Sequence, residues 1–386
     1  MCKACSGAGN ISRSMRKSSD GKYLKKANKK SYPSFIAIGP MPVGDRGLPH
    51  LLEKEHEDLC YLVGNWKIFQ NIGRHRYSTD DLVTSYVACK EAQRLGLDVS
   101  RPHFVLDMGC GLGSVLLTNA WQLPNAVCIG LEAQTDRYTQ ALRSIEYNVG
   151  NFPVEQTRIR IYNTDIRYPS EGILSSEELK SGFDLITGTP PYFPTRLGAF
   201  PGCMESAGCL FELRGGVEVY CEAASRFLRP PGCKKRAESA SSSSDNDDNN
   251  NDYEYPSVFV MCNTSLASSR VYLSCQTNSL SVIKRCDVVP LAGKLPLFSV
   301  FTIVLDAWIR HSPDLFPHLL PPASLPIDLP TDPNKAVRIT SSLRGETVHQ
   351  ICVRESGSLH SVEYQALLRD LGKPCSADRE LYTVVT

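Results

Sequence analysis

Asp107, Gly109, Gly111 and Gly113 stand at alternate positions between an apolar run, Phe104-Val105-Leu106, and a helix-like stretch from Ser114 to Trp121. Strand, glycine turn and helix in that order set backbone N–H groups at a helix N-terminus, beside the carboxyl end of a parallel strand. Open α/β sheets bind nucleotide-like ligands there. Glycine is required because the ligand lies against the main chain, where a β-carbon would block it or forbid the turn. A second apolar run, Ala126 to Leu131, ends in Glu132. That acid lies about 20 residues beyond the glycines, the usual place for a carboxylate that holds ribose hydroxyls. A third run, Arg158 to Tyr162, ends near Asp165, and a fourth, Phe183 to Ile186, leads into Thr189-Pro190-Pro191-Tyr192-Phe193. Two prolines make this last turn rigid and fix which carbonyl points into the site. Tyr192 and Phe193 can sandwich a planar group there, while the Thr189 side chain and the Pro190 carbonyl can accept hydrogen bonds from an amine.

The glycine spacing narrows the ligand. A dinucleotide fingerprint needs glycine or alanine where Ser114 stands, and no Gly-Lys-Ser/Thr follows to make a phosphate loop. An acid just ahead of the glycines suits a ligand with a positive centre and no phosphate. S-adenosylmethionine (SAM) is such a ligand.

These residues need an alternating strand–helix frame. Strands are expected at about 104–108, 126–131, 158–162, 183–187, 257–262, 282–288 and 298–305. Helices are expected at about 112–121, 136–149, 216–228 and 264–278. The fold class is α/β: a seven-stranded Rossmann-like sheet with helices on both faces. Ahead of it, 51–63 reads as a helix, Trp66 to Gln70 as a strand, and a helix capped by Thr79 or Asp80 runs to Leu95 with Gly96 as its stop. Beyond it, 335–340 and 347–354 are strand-like, and Ser361 to Leu371 reads as a helix closed by Gly372. The expected organisation is a basic, disordered tail over 1–50, a helical cap of the cofactor site over 51–100, a catalytic domain over 101–310, and an extension packed on it over 311–386. Residues 233–254, rich in Ser, Asn and Asp, read as a disordered insert within the domain rather than a boundary.

Composition excludes little. The 386 residues carry 42 basic and 41 acidic side chains, a net charge of +1, so overall charge does not decide for or against nucleic acid. No apolar run is long enough to cross a membrane, and no membrane partner is expected. The 15 cysteines are scattered. They read as free thiols in a reducing, intracellular compartment, the cytoplasm being favoured. Cys2 and Cys5 have half a zinc spacing with no second pair, so no metal is expected. Over 1–35, nine Lys or Arg face one acid, Asp20. A nuclear signal around Lys25–Lys30, an organellar presequence and an RNA-touching arm are the alternatives to a plain tail.

The glycine turn, Glu132, Asp165 and Thr189-Pro190-Pro191-Tyr192 together resemble class I SAM-dependent methyltransferases of the amino-methylating kind, whose motif is Asn/Asp/Ser-Pro-Pro-Tyr/Phe/Trp. Within that group the chain is similar to the bacterial-type valine-tRNA adenine-N6 methyltransferases. The segment Phe69-Gln70 to Asp81, the run from Thr187 to Arg196 with Leu213-Arg214-Gly215, and the tail from Ser358 to Gly372 carry this narrower likeness, which spans roughly residues 60–372. The resemblance implies SAM as cofactor, with Glu132 on its ribose, Asp165 on its adenine, the backbone from Asp107 to Gly113 around its methionine, and Thr79 closing the pocket. It implies an adenine flipped onto Tyr192, with Phe193 beside it and Arg74, Arg76, Arg196 and Arg214 as phosphate contacts. RNA, tRNA favoured, is the expected partner. Position 189 departs from the family: Thr offers a hydroxyl on a stiff stem where Asn offers a carbonyl. A glutamine side chain in a protein is the alternative target, and a SAM-fold binding module without activity is the alternative class.

Overall fold

A computed structural model describes residues 36–151, 157–169, 181–196, 204–233, 255–319, 329 and 335–380, with the backbone of two short strands at 16–17 and 23–24. Most of the basic tail and nearly all of the 233–254 insert lie outside these residues. The central sheet contains β3 (Phe104–Met108), β4 (Val127–Glu132), β5 (Ile159–Asn163), β6 (Leu185–Gly188), β7 (Val258–Thr264), β8 (Leu280–Val289), β9 (Phe298–Leu305) and β10 (Thr347–Cys352). Its order is β10-β8-β9-β7-β6-β3-β4-β5. β3 to β7 run parallel, and β9 is antiparallel to both of its neighbours. The central strands are continuous apolar runs because both faces are covered.

One face carries α1 (Thr79–Arg94), α2 (Ser114–Gln122), α3 (Thr135–Val149) and α8 (Val362–Asp370). The other carries α5 (Val217–Phe227) and α6 (Ser268–Thr277). Between β6 and α5 lies the short α4 (Met204–Leu210), and α7 (Asp306–His311) follows β9.

Three expectations need correction. The sheet has eight strands, not seven, because Thr347–Cys352 pairs in parallel with β8. Residues 335–340 form no strand; their backbone is taken by the start of α6, where Ser269 Oγ accepts from Val337 N at 2.9 Å and Ser268 Oγ from Ile339 N at 2.7 Å. The helix expected at 51–63 is instead β1 (Glu57–Val63), which pairs with β2 (Trp66–Asn71) across Gly64-Asn65. A Gly-Asn pair between two β-prone runs is a hairpin signal, and Gly64 adopts φ 48° there. The hairpin docks on α3 through a buried ion pair, Glu57 Oε1 to Arg143 Nη1 at 2.7 Å.

The turn of that hairpin gathers distant chain. Gly64 N donates to Leu371 O at 2.9 Å and Asn65 N to Ile38 O at 3.3 Å. Lys373 Nζ reaches Leu62 O at 2.5 Å and the Tyr77 hydroxyl at 3.3 Å. A β-carbon on Gly372 would sit 2.9 Å from Gly64 Cα, so the two backbones touch.

The two stems of the insert are also tied. Arg229 Nε donates to Asp184 Oδ1 at 3.0 Å, its Nη2 to Tyr255 O at 2.9 Å, and the Tyr255 hydroxyl donates to Asp184 Oδ1 at 2.9 Å. This clasp precedes β6 and β7, at the amino edge of the sheet, opposite the glycine turn. Replacing 234–254 with a short Gly-Ser linker should therefore leave the melting temperature within a few degrees and ligand affinity unchanged, since loop length alone costs about 0.6 kcal/mol per doubling. Calorimetric melting and titration would check this, and a collapse of either would show that the insert contributes contacts.

Candidate cofactor and acceptor site

The site lies at the carboxyl edge of β3, β4, β5 and β6. β3 delivers Asp107, which is 2% exposed. Its Oδ1 accepts from Thr187 Oγ1 of β6 at 2.8 Å, Asn119 Nδ2 of α2 reaches that threonine oxygen at 3.1 Å, and Ser85 Oγ of α1 donates to Asn119 Oδ1 at 2.6 Å. Oδ2 has no partner among the described residues. This chain fixes the acid under the turn, and burial pushes its carboxyl up to about 7. Gly109 and Gly111 turn the backbone at φ 62° and 57°, and Gly113, at 82°, caps α2. A β-carbon on Gly109 would strike the Tyr220 hydroxyl at 2.1 Å, whereas one on Gly111 would meet only Arg137 Nη1, at 3.9 Å. Gly111 therefore faces open space.

That space is a cleft of about 870 Å³, counted to its open mouth, lined by both glycines, Glu132, Asp165, Thr189 and Pro191. Glu132 braces it. Its Oε2 accepts from Gly111 N at 2.8 Å and its Oε1 from Gln134 N at 2.6 Å. Burial raises its carboxyl, opposed by those two N–H groups. Burial would also raise Asp165, but the Arg167 fork (Nε to Oδ1 3.0 Å, Nη2 to Oδ2 2.8 Å) holds it below the ordinary value.

Thr79 begins α1 and is buried away from the cleft lining; its neighbours His75, Arg76, Tyr77 and Asp81 line it instead. Asp81 accepts from Ser78 N at 2.8 Å, so Ser78 rather than Thr79 or Asp80 caps the helix. Burial, then the Asp80 charge, pushes Asp81 up to about 8.

The Thr189 hydroxyl and the Pro190 carbonyl take part in no hydrogen bond with described residues. The Tyr192 hydroxyl donates to Asp80 Oδ2 at 2.7 Å and lies 3.0 Å from Cys262 Sγ. Its ring packs partly on the core and does not line the cleft. Phe193 is the exposed aromatic, at 45%, its ring centroid 5.7 Å from that of Phe211. Its N–H donates to Leu210 O and its carbonyl accepts from Glu212 N, both at 3.0 Å, so the Pro-Pro loop and the Leu213-Arg214-Gly215 segment are joined. Of the four arginines, Arg214 is exposed at the cleft, where its charge acts on both Glu132 and Asp165. Arg76 is held by Asp58 at 3.1 Å and Cys60 Sγ at 2.9 Å. Arg74 lies 3.8 Å from Glu205, and Arg196 is exposed with no ion pair among the described residues.

Sequence reasoning missed Asp81, Arg137, Asn119 and Thr187. The last two carried a signal, a polar residue within the apolar stretches Val115–Trp121 and Leu185–Gly188.

The residues fit SAM. Gly111 leaves the cradle, Glu132 keeps lone pairs for ribose hydroxyls, and the raised acids Asp81 and Asp107 lack a positive charge that a sulfonium and an ammonium would supply. Strand order, glycine turn and acids together are those of the class I methyltransferase fold. No family model matches the chain. Over 146 residues it is 24% identical to the release factor glutamine methyltransferase of Flavobacterium psychrophilum, covering 36% of this chain and 45% of that protein. The chain thus spans less than half the length of the curated relative it matches. Among solved structures it is similar to a SAM-dependent methyltransferase from Agrobacterium tumefaciens (TM-score 0.40, 13% identity, 66% of this chain and 71% of that one). It is also similar to P. horikoshii TYW2 in complex with MeSAdo (TM-score 0.38, 13% identity, 65% and 72%).

Proposed function

We propose that the protein transfers a methyl group from SAM to an exocyclic amine, adenine N6 of a structured RNA, with tRNA favoured. One observation carries this reading: Thr189-Pro190-Pro191 leaves β6 into the same cleft as the glycine turn, with a hydroxyl and a carbonyl free to receive an amine. SAM, when bound, supplies an electrophilic methyl on a sulfonium. The chain does the rest by placement. The Thr189 hydroxyl and Pro190 carbonyl accept the two N–H bonds of the amine, which draws its lone pair out of conjugation with the ring and aims it into the cleft. Phe193 offers an exposed face for the base, and Tyr192, fixed by Asp80, holds the loop in place. Arg196, Arg214 and Arg74 supply positive charge at the rim for phosphate.

A glutamine amide in a protein is the second reading. It presents the same N–H pair to the same acceptors, and the 24% identity to a release factor glutamine methyltransferase favours keeping it.

Labelled SAM, offered to total RNA and to a protein fraction and followed by nucleoside and amino-acid analysis, separates the two. Labelled N6-methyladenosine that falls at least about tenfold with Thr189→Ala, one hydrogen bond to a charge-developing amine being involved, supports the RNA reading. Label only in N5-methylglutamine supports the second. Label in neither, with SAM bound, would leave the binding-module reading standing.

A further inference from the structure

Arg137 is assigned nothing by the proposed chemistry, yet it is a guanidinium only 3% exposed in the wall of the cofactor cleft. It rises from the first turn of α3 and is held on one side only. Its Nη2 donates to His75 O at 3.0 Å and lies 3.2 Å from Glu205 Oε1 of α4. Nε is buried with no partner. Nη1 has no partner among the described residues and stands 3.9 Å from where a β-carbon of Gly111 would be. A buried cation that leaves donors unused beside an open glycine is costly unless a ligand fills the gap.

The other charges of the cleft indicate which part of the ligand belongs there. Asp81 and Asp107 flank the start of the turn and suit positive groups, while Glu132 serves the ribose. SAM carries one anionic group, the carboxylate of its methionine moiety. We propose that Arg137 binds that carboxylate end-on through Nη1, over Gly111. Nη1 carries two N–H groups and a share of the guanidinium charge, which suits a charge-assisted hydrogen bond to a carboxylate oxygen. Since His75 and Glu205 hold Nη2, the guanidinium is already oriented before the ligand arrives. Arg74 lies 3.8 Å from the same Glu205, so the segment before α1, α3 and α4 meet at this one residue. The inference rests on the cofactor assignment and is independent of which amine is methylated.

The test compares two ligands that differ by the amino-acid portion. S-adenosylhomocysteine keeps the carboxylate; 5′-methylthioadenosine keeps ribose and adenine without it. Titration calorimetry on the full chain gives the affinity ratio of the two. In Arg137→Gln the ratio should fall about tenfold or more, the size expected for a charge-assisted hydrogen-bonded pair, with 5′-methylthioadenosine affinity nearly unchanged. Arg137→Lys should recover part of the ratio. Arg137→Gln leaves Glu205, half-buried, with only Arg74 beside it, so the double variant Arg137→Gln/Glu205→Gln is measured alongside and should show the same fall. Equal weakening of both ligands would make Arg137 a ribose contact or a packing element and overturn the proposal. An unchanged ratio in both variants would overturn it as well.

Discussion

Glu132→Ala is expected to weaken SAM binding by about 100-fold, roughly 3 kcal/mol for one carboxylate that makes several hydrogen bonds. Two losses combine. The ribose hydroxyls lose their acceptor, and the glycine turn loses its brace, because Oε2 holds Gly111 N and Oε1 holds Gln134 N. Glu132→Gln separates them. An amide keeps one oxygen for a backbone N–H but sets an NH₂ against the other, so the fold survives while the turn and the ribose compete for a single acceptor. Its affinity should fall between wild type and alanine. Calorimetric titration of SAM reads the series, and an alanine variant that binds like wild type would place the ribose elsewhere.

The second large effect is on pH. Asp81 and Asp107 rest at about 8 and about 7 without ligand, both above their ordinary value of 3.8. Burial is the main cause in each case. A raised carboxyl is protonated in the fold at pH values where the unfolded chain has ionised. The ligand-free fold therefore loses stability as pH climbs from about 4 to about 8, and the loss levels off above that. A cationic ligand prefers the ionised acids. SAM affinity should accordingly rise with pH, steeply below about 7 and more gently to about 8, each protonated acid costing up to about tenfold per pH unit. The gain in melting temperature on adding SAM should widen from pH 6 to pH 8.5. A gain that is flat or shrinks over this range would mean that neither acid faces a positive group. Asp81→Asn should remove the upper part of the slope while leaving the part due to Asp107.

The parts of the fold legible in sequence were those with strong local patterns. β3, β4, β5 and β9 lie within a residue or so of their expected ranges, because each is an apolar run bounded by a turn or an acid. Asp107, the glycines and Glu132 could be placed because their chemistry depends on spacing along the chain. The place of the eighth strand in the sheet is not legible, since an edge strand whose first four residues are exposed on both faces has a weak pattern and its partner, β8, lies some 60 residues earlier. β1 reads as part of a helix over 51–63, although Gly64-Asn65 marks the turn into β2, which does read as a strand. Arg137 and Asp81 were not legible: each sits on an ordinary helix, and only the tertiary fold brings their side chains to the glycine turn.

The hairpin turn where Gly64 meets Leu371 has a consequence for synthesis. Lys373 is wedged between Leu62 and the Tyr77 hydroxyl, and Tyr77 is itself part of the cleft wall. On the ribosome the glycine turn, Glu132 and the Pro-Pro loop all emerge more than 100 residues before Lys373 does. The nascent chain can build its sheet early, but the hairpin and Tyr77 at the cleft wall stay unfastened until α8 has emerged and folded back. A ribosome stalled at about residue 350 would hold a nearly finished sheet with an open pocket.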